Sequence, residues 1–127
     1  MKYLNKSMIA GCWSDEWNRT DPDLTVYLPT QPSGNDADNE HFLVTVTPQQ
    51  AFLSIWTQGD AEGGDSQRVV FARSEDGGIN WNKPGIIDGP DGHDGLIASW
   101  GFPVVSRQGR IYCFYNKHTG IVDHHRA

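Results

Sequence analysis

The sequence predicts an all-β protein, and three observations predict it. From Glu40 onward apolar residues recur with period two, in short runs rich in β-branched and aromatic side chains and bounded by Gly, Pro and Asp. No stretch shows the wider apolar stripe of an amphipathic helix. A hairpin-like stretch also recurs: Phe42-Leu43-Val44 aligns with Phe102-Pro103-Val104, Ala51-Phe52-Leu53 with Ile111-Tyr112-Cys113, and Gln58 with His118, all 60 positions apart. Repeats that each open with a strand hairpin point to β-propeller blades of four-stranded antiparallel sheets.

Taken in order, the strand runs are His41 to Thr47, Ala51 to Gln58, Arg68 to Ser74, Lys83 to Asp88, Gly101 to Arg107 and Arg110 to His118. Pro48-Gln49-Gln50 and Gln108-Gly109 read as tight turns, whereas Gly59 to Gln67 and Gly89 to Trp100 are long, glycine-rich and acidic. In an up-and-down sheet successive connections fall on opposite edges, so the long loops gather on one edge, where function is expected. Residues 40–88 then form a first blade and 89–127 the first half of a second, about one and a half blades in all. Residues 1–39 form a loop-rich extension whose one strand candidate, residues 24–28, is placed to complete a distant blade as a ring-closing strand.

Composition narrows the function classes. In 127 residues, 10 Lys and Arg stand against 16 Asp and Glu, for a net charge of −6, and 37% of residues are hydrophobic. That is enough apolar material for a core. Without a basic cluster, a phosphate-tracking nucleic-acid binder is not expected. No apolar stretch approaches the roughly 18 residues that span a bilayer, so no membrane partner is expected, and Met1 to Ser7 lacks the apolar core of a signal peptide. Cys12 and Cys113 have no paired spacing for zinc or redox work, and Cys113 in a strand reads as a core thiol. Asp88, Asp91 and Asp94, or Asp36, Asp38 and Glu40, lack the spacing of a calcium loop. No metal or cofactor is expected.

Between the third and fourth runs stands Ser74-Glu75-Asp76-Gly77-Gly78-Ile79-Asn80-Trp81. An Asp side chain at such a place accepts backbone N–H bonds across a turn, the glycines supply positive φ, and the Trp ring packs beneath. The stretch resembles the Asp box (BNR repeat), Ser-x-Asp-x-Gly-x-Thr-Trp, of sialidase (neuraminidase)-like β-propellers, with Asn80 in place of Thr. In that family Ser74, Asp76, Gly78 and Trp81 would be structural. The resemblance implies a six-bladed propeller, of which this chain is the N-terminal portion. It also implies an exo-α-sialidase type of hydrolase that removes terminal sugars with a Tyr nucleophile, an Asp acid/base and three arginines for the substrate carboxylate. The nucleophile and remaining arginines would come from later blades, supplied by a longer chain or by self-association, so the fragment alone is expected to be inactive. Where the family's first arginine stands, this sequence has Glu40-His41-Phe42.

On the long-loop edge, the resemblance makes Asp60 the closest match to the acid/base residue, with Asp65 behind it and Glu62 as a like-charged neighbour that would hold it protonated. Glu40, Gln58, Glu62, Asp65, Trp100 and Lys117 are candidates for contacting a glycan, Trp100 as a stacking face and Lys117 as the cation for a carboxylate or sulfate. His93 and His118, on loops opening the same way, suit a base and charge stabiliser of a uronate polysaccharide lyase. Three readings stand side by side: a glycoside hydrolase for sialic acid or another acidic sugar, a lyase, and a noncatalytic glycan-binding propeller.

Overall fold

The computed structural model describes residues 22–92 and 94–119, and these form six strands in two antiparallel sheets with no helix. β1 (Asp38–Val46), β2 (Phe52–Gly59), β3 (Arg68–Ser74) and β4 (Gly85–Asp88) lie side by side in that order, and β5 (Ile97–Val105) pairs with β6 (Ile111–His118) in a second sheet. Because the paired strands all run antiparallel, β1 with β2, β2 with β3, β3 with β4 and β5 with β6, the loops 60–67 and 89–96 come to one end and the turns after β1, β3 and β5 to the other.

The strands start where local chemistry lets them pair. β4 begins at Gly85 and not at Lys83, since Pro84 has no N–H to give a ladder. β1 begins at Asp38, before His41, and β5 begins at Ile97, four residues before Gly101. Both early starts are bridged by a β-bulge, between Glu40 and Leu43 in β1 and between Ser99 and Phe102 in β5. Residues 24–28 form no strand. Instead Val26 and Tyr27 lie on the apolar cluster of Trp56, Val70 and Ala72, with Trp81 beside them. That segment covers a sheet face where a strand would have extended an edge.

The two hairpins repeat one another at a spacing of 59, not 60. Glu40 pairs with Thr57 as Ser99 pairs with Asn116, and Leu43 with Ile55 as Phe102 with Phe114. The turns agree as well: Ala51 N–H donates to Thr47 Oγ1 at 3.1 Å, and Arg110 N–H to Ser106 Oγ at 3.0 Å. The shared Phe42/Phe102 and Val44/Val104 identities suggest the longer spacing, and they mislead by one residue. In a pleated strand one residue exchanges the two faces.

The second sheet lies over the face of the first that carries Leu53, Ile55 and Val69. With Ala98 these form the main core, ringed by Phe71, Ile87, Ile111, Cys113 and Tyr115. Burying a side chain such as Ile55 contributes about 1.5–3 kcal/mol. Gly101 sits at the closest approach of the sheets, where a Cβ would fall 2.7 Å from both Ile55 Cγ2 and Val69 Cγ1.

The β3–β4 turn is closed by its own side chains. Gly78 N–H donates to Ser74 Oγ at 2.8 Å, and Asp76 accepts from the Asn80 N–H at 2.9 Å and from Asn80 Nδ2 at 2.7 Å. Gly77 and Gly78 take φ of 75° and 96°, and Trp81 Nε1 donates to Gly78 O at 2.8 Å. The Asn80 donors, followed by the Ser74 hydroxyl, hold the Asp76 carboxyl down to about 2.

Candidate functional site

The two bulges meet. His41 and Trp100, their equivalent residues, take φ of 52° and 59°, a region that bulky side chains avoid because Cβ crowds the backbone. Their rings contact edge to face, 5.4 Å apart at 72°. The Trp100 N–H is anchored on Thr57 Oγ1 at 2.8 Å, while its indole stays 55% exposed. Backbone strain and a bulge together re-aim a large aromatic ring toward the loop end of the molecule.

There a cavity of about 440 Å³ opens, lined by Glu40, Glu62, Gly63, Gln67, Ser99, Trp100, Asn116, Lys117 and His118. Of the residues expected on this edge, Glu40, Glu62, Trp100, Lys117 and His118 are thus brought together. Burial raises the Glu40 carboxyl above the ordinary carboxylate range, and the charges of Glu62 and Asp38 push the same way. His41, with Nε2 3.6 Å from Glu40 Oε2, and Gln67, whose Nε2 donates to Oε1 at 2.8 Å, act in the opposite direction. Glu40 is therefore a partly buried carboxyl beside an exposed aromatic face.

Lys117 is not a free cation. Its Nζ lies 2.8 Å from Asp88 Oδ2 and 2.6 Å from Asp94 Oδ2, and these two carboxylates raise its pKa. Lys117, and next the Tyr115 hydroxyl, which donates at 2.7 Å, hold Asp88 down to about 2. The site is therefore acidic on balance. His118 Nε2 shares a 3.0 Å hydrogen bond with Ser99 Oγ, which fixes the ring at the cavity wall.

The other expected residues lie elsewhere. Asp60 is not on the cavity wall: its carboxylate accepts the Ser66 hydroxyl, and its own N–H donates to Ser66 Oγ at 2.8 Å. That closed loop, through the Ser66 bond first, lowers the Asp60 pKa, the reverse of what a proton donor needs. Asp65 is exposed on the same loop, off the wall. Gln58 is buried, donating to Asn39 Oδ1 at 3.1 Å, and faces a separate hollow with Tyr27 and Arg68. Its counterpart in the second hairpin is Lys117, one place before His118. His93 and Cys12 lie outside the described residues. The turn of Ser74, Asp76, Gly78 and Trp81 is at the far end of the sheet from the cavity.

Sequence reasoning missed Gln67, Ser99, Asn116 and the Asp88–Lys117–Asp94 group, all of which depend on contacts between segments distant in the chain. One signal was available for two of them: polar Ser99 and Asn116 interrupt runs otherwise apolar. Among the described residues no group of three or more His, Cys, Asp or Glu is arranged to hold a metal ion. Compared with known proteins, the chain matches no family model, no curated protein and no solved structure.

Proposed function

We propose that this chain is the opening part of a sialidase-like β-propeller glycosidase, with the cavity beside Glu40 and Trp100 contributing to the binding site for a terminal sugar. On this reading β1–β4 are a first blade and β5–β6 the opening hairpin of a second. Further blades, from a longer chain or from other copies, supply the remaining catalytic groups. The observation that carries the reading is the pairing of a partly buried carboxyl, held toward its protonated form, with an exposed, backbone-anchored indole across one cavity. Glu40, rather than Asp60, is then the proton donor to the leaving oxygen. Trp100 offers an apolar ring face to a sugar, and Asn116 and Gln67 offer amide donors and acceptors to its hydroxyls.

The acidic balance of the lining favours an uncharged or amino sugar over a carboxylated one, since Lys117 is neutralised by Asp88 and Asp94. The same pairing weighs against the lyase reading, which needs a cation at the substrate carboxylate. Titrating the 127-residue chain with neutral, amino, sialyl and uronic saccharides, followed by indole and amide shifts in NMR spectra, tests the reading. Neutral or amino sugars are expected to shift the Trp100 indole and Asn116 amide signals. Absence of any shift at millimolar sugar, or Asn116 amide shifts of the same size in Trp100→Ala as in wild type, would sink it.

A further inference from the structure

We propose that a hollow on the opposite face of the first sheet from the Glu40 cavity binds an oxyanion, the carboxylate, sulfate or phosphate group of a small molecule, between Arg68 and Lys83. Its place follows from the pleat. Gln58 pairs with Arg68 and Val70 with Ile86, so these four side chains share one face of the sheet. Gln67, one residue before Arg68, turns to the other face and bonds Glu40. On the Arg68 side, Tyr27, Thr30, Asn35 and Asp36 form a facing wall from the segment before β1, and Lys83 closes the rim beside β4. The space between them is about 530 Å³. It is a hollow built between two parts of the described chain, not a bare sheet face.

Charge and hydrogen bonding decide what fits there. Arg68 is held in place by its surroundings: Nη2 donates to Asn35 O at 2.8 Å, and Gly89 packs so closely on the stem that a Cβ there would fall 2.5 Å from Arg68 Cβ. Its Nε N–H is buried without an acceptor, and orphaned donors of this kind mark places where a water or an ion completes the structure. Among the described residues neither Arg68 nor Lys83 is in an ion pair, whereas Lys117 has two carboxylate partners. The one carboxylate lining the hollow, Asp36, is already engaged: its Oδ2 accepts the Tyr27 hydroxyl at 2.5 Å, the Thr30 N–H at 2.9 Å and the Thr30 hydroxyl at 2.8 Å. Two cations against one hydrogen-bonded carboxylate leave the hollow positive in a chain whose net charge is −6. A guanidinium matches two oxygens of an oxyanion at once, and the ammonium adds a point charge from the rim. This inference does not depend on the sugar-binding reading.

The test titrates the full 127-residue chain with inorganic phosphate, inorganic sulfate and methyl glucuronide at constant ionic strength, with chloride as the control. The readout is the Arg68 Nε–H and Gln58 side-chain amide signals in NMR spectra. At least one of the three oxyanions is expected to shift both signals saturably, half-maximally at or below about 1 mM, while chloride shifts neither and the Trp100 indole stays in place. Lys83→Gln, at an exposed position, is expected to weaken that binding about ten-fold, and so is Arg68→Lys, which keeps the charge and loses the fork. Should Arg68→Lys unfold, Lys83→Gln decides alone. Tighter binding of the glucuronide than of the inorganic ions assigns the hollow to an acidic sugar, and the reverse order assigns it to a free inorganic anion. No saturable shift up to about 20 mM overturns the proposal, as does equal affinity in wild type and Lys83→Gln. Shifts at the Trp100 indole without shifts at Gln58 also overturn it, since the anion would then sit in the other cavity.

Discussion

The hairpins β1–β2 and β5–β6 share bulge, turn and register, yet differ in nearly everything built around them. The first is continued by β3 and β4, with its β2 buried on both faces; the second pairs with no further strand among the described residues, and its Phe102, Tyr112 and Phe114 are exposed. Backbone geometry is therefore the repeated quantity, and burial is decided by neighbours. The residue types have diverged accordingly: where the first hairpin holds Trp56 against Tyr27 and Asn39, the second holds Tyr115 against Asp88. The first pins a sheet to its N-terminal cover, and the second pins a sheet to a sheet.

Removing the turn that completes the first unit should have the largest effect. Trp81→Ala strips the ring beneath the Ser74–Trp81 turn and its bond to Gly78, and is expected to cost about 3 kcal/mol in urea unfolding. A cost near zero would mean that the first unit does not depend on its turn. Next comes the link between the sheets. Asp88 has a folded pKa of about 2, below its unfolded value, so its contribution is present above about pH 4 and is lost as pH falls from about 4 toward 2. Wild type should therefore lose more thermal stability over that window than Asp88→Asn. Parallel curves for the two would remove the Asp88–Lys117–Tyr115 group from the inter-sheet connection.

A smaller effect of opposite sign is expected at Glu40. Its folded pKa lies above the unfolded one, so ionisation opposes folding and stability falls as pH rises through that pKa. Glu40→Gln should then raise the thermal midpoint modestly at pH 7 and leave it nearly unchanged near pH 4. An unchanged or lowered midpoint at pH 7 would argue that Glu40 carries no such strain. The smallest effect on stability belongs to Trp100→Ala, within about 0.5 kcal/mol because the indole is largely exposed. The contrast with Trp81 sharpens the comparison: one Trp holds a turn together, and the other presents its ring outward.

Much of this was legible in the residues. Alternation and punctuation located all six strands, and alternating connections placed the long loops together at the end where the cavity lies. The Ser74 to Trp81 stretch could be read as a turn because its hydrogen bonds are local. The bulges could not be read, because an extra residue in one strand is a property of pairing, and the coincidence of Phe42 with Phe102 favoured the wrong spacing. Asp60 looked like the acid because its loop position was right, but its ionisation is set by Ser66, six residues away. Glu40 became the better candidate only once Gln67, Glu62 and Asp38 were placed around it.

Gly101 carries a consequence for the width of the cavity. Its missing side chain lets β5 settle against Ile55 and Val69, and Trp100, the next residue, lines the wall. The gap between sheets is thus set at a residue that is not on the wall of that cavity. Exchanging Gly101 for Ala would lift the hairpin and move Trp100 with it, so the dimensions of the opening can be tuned from the core while every wall residue stays the same.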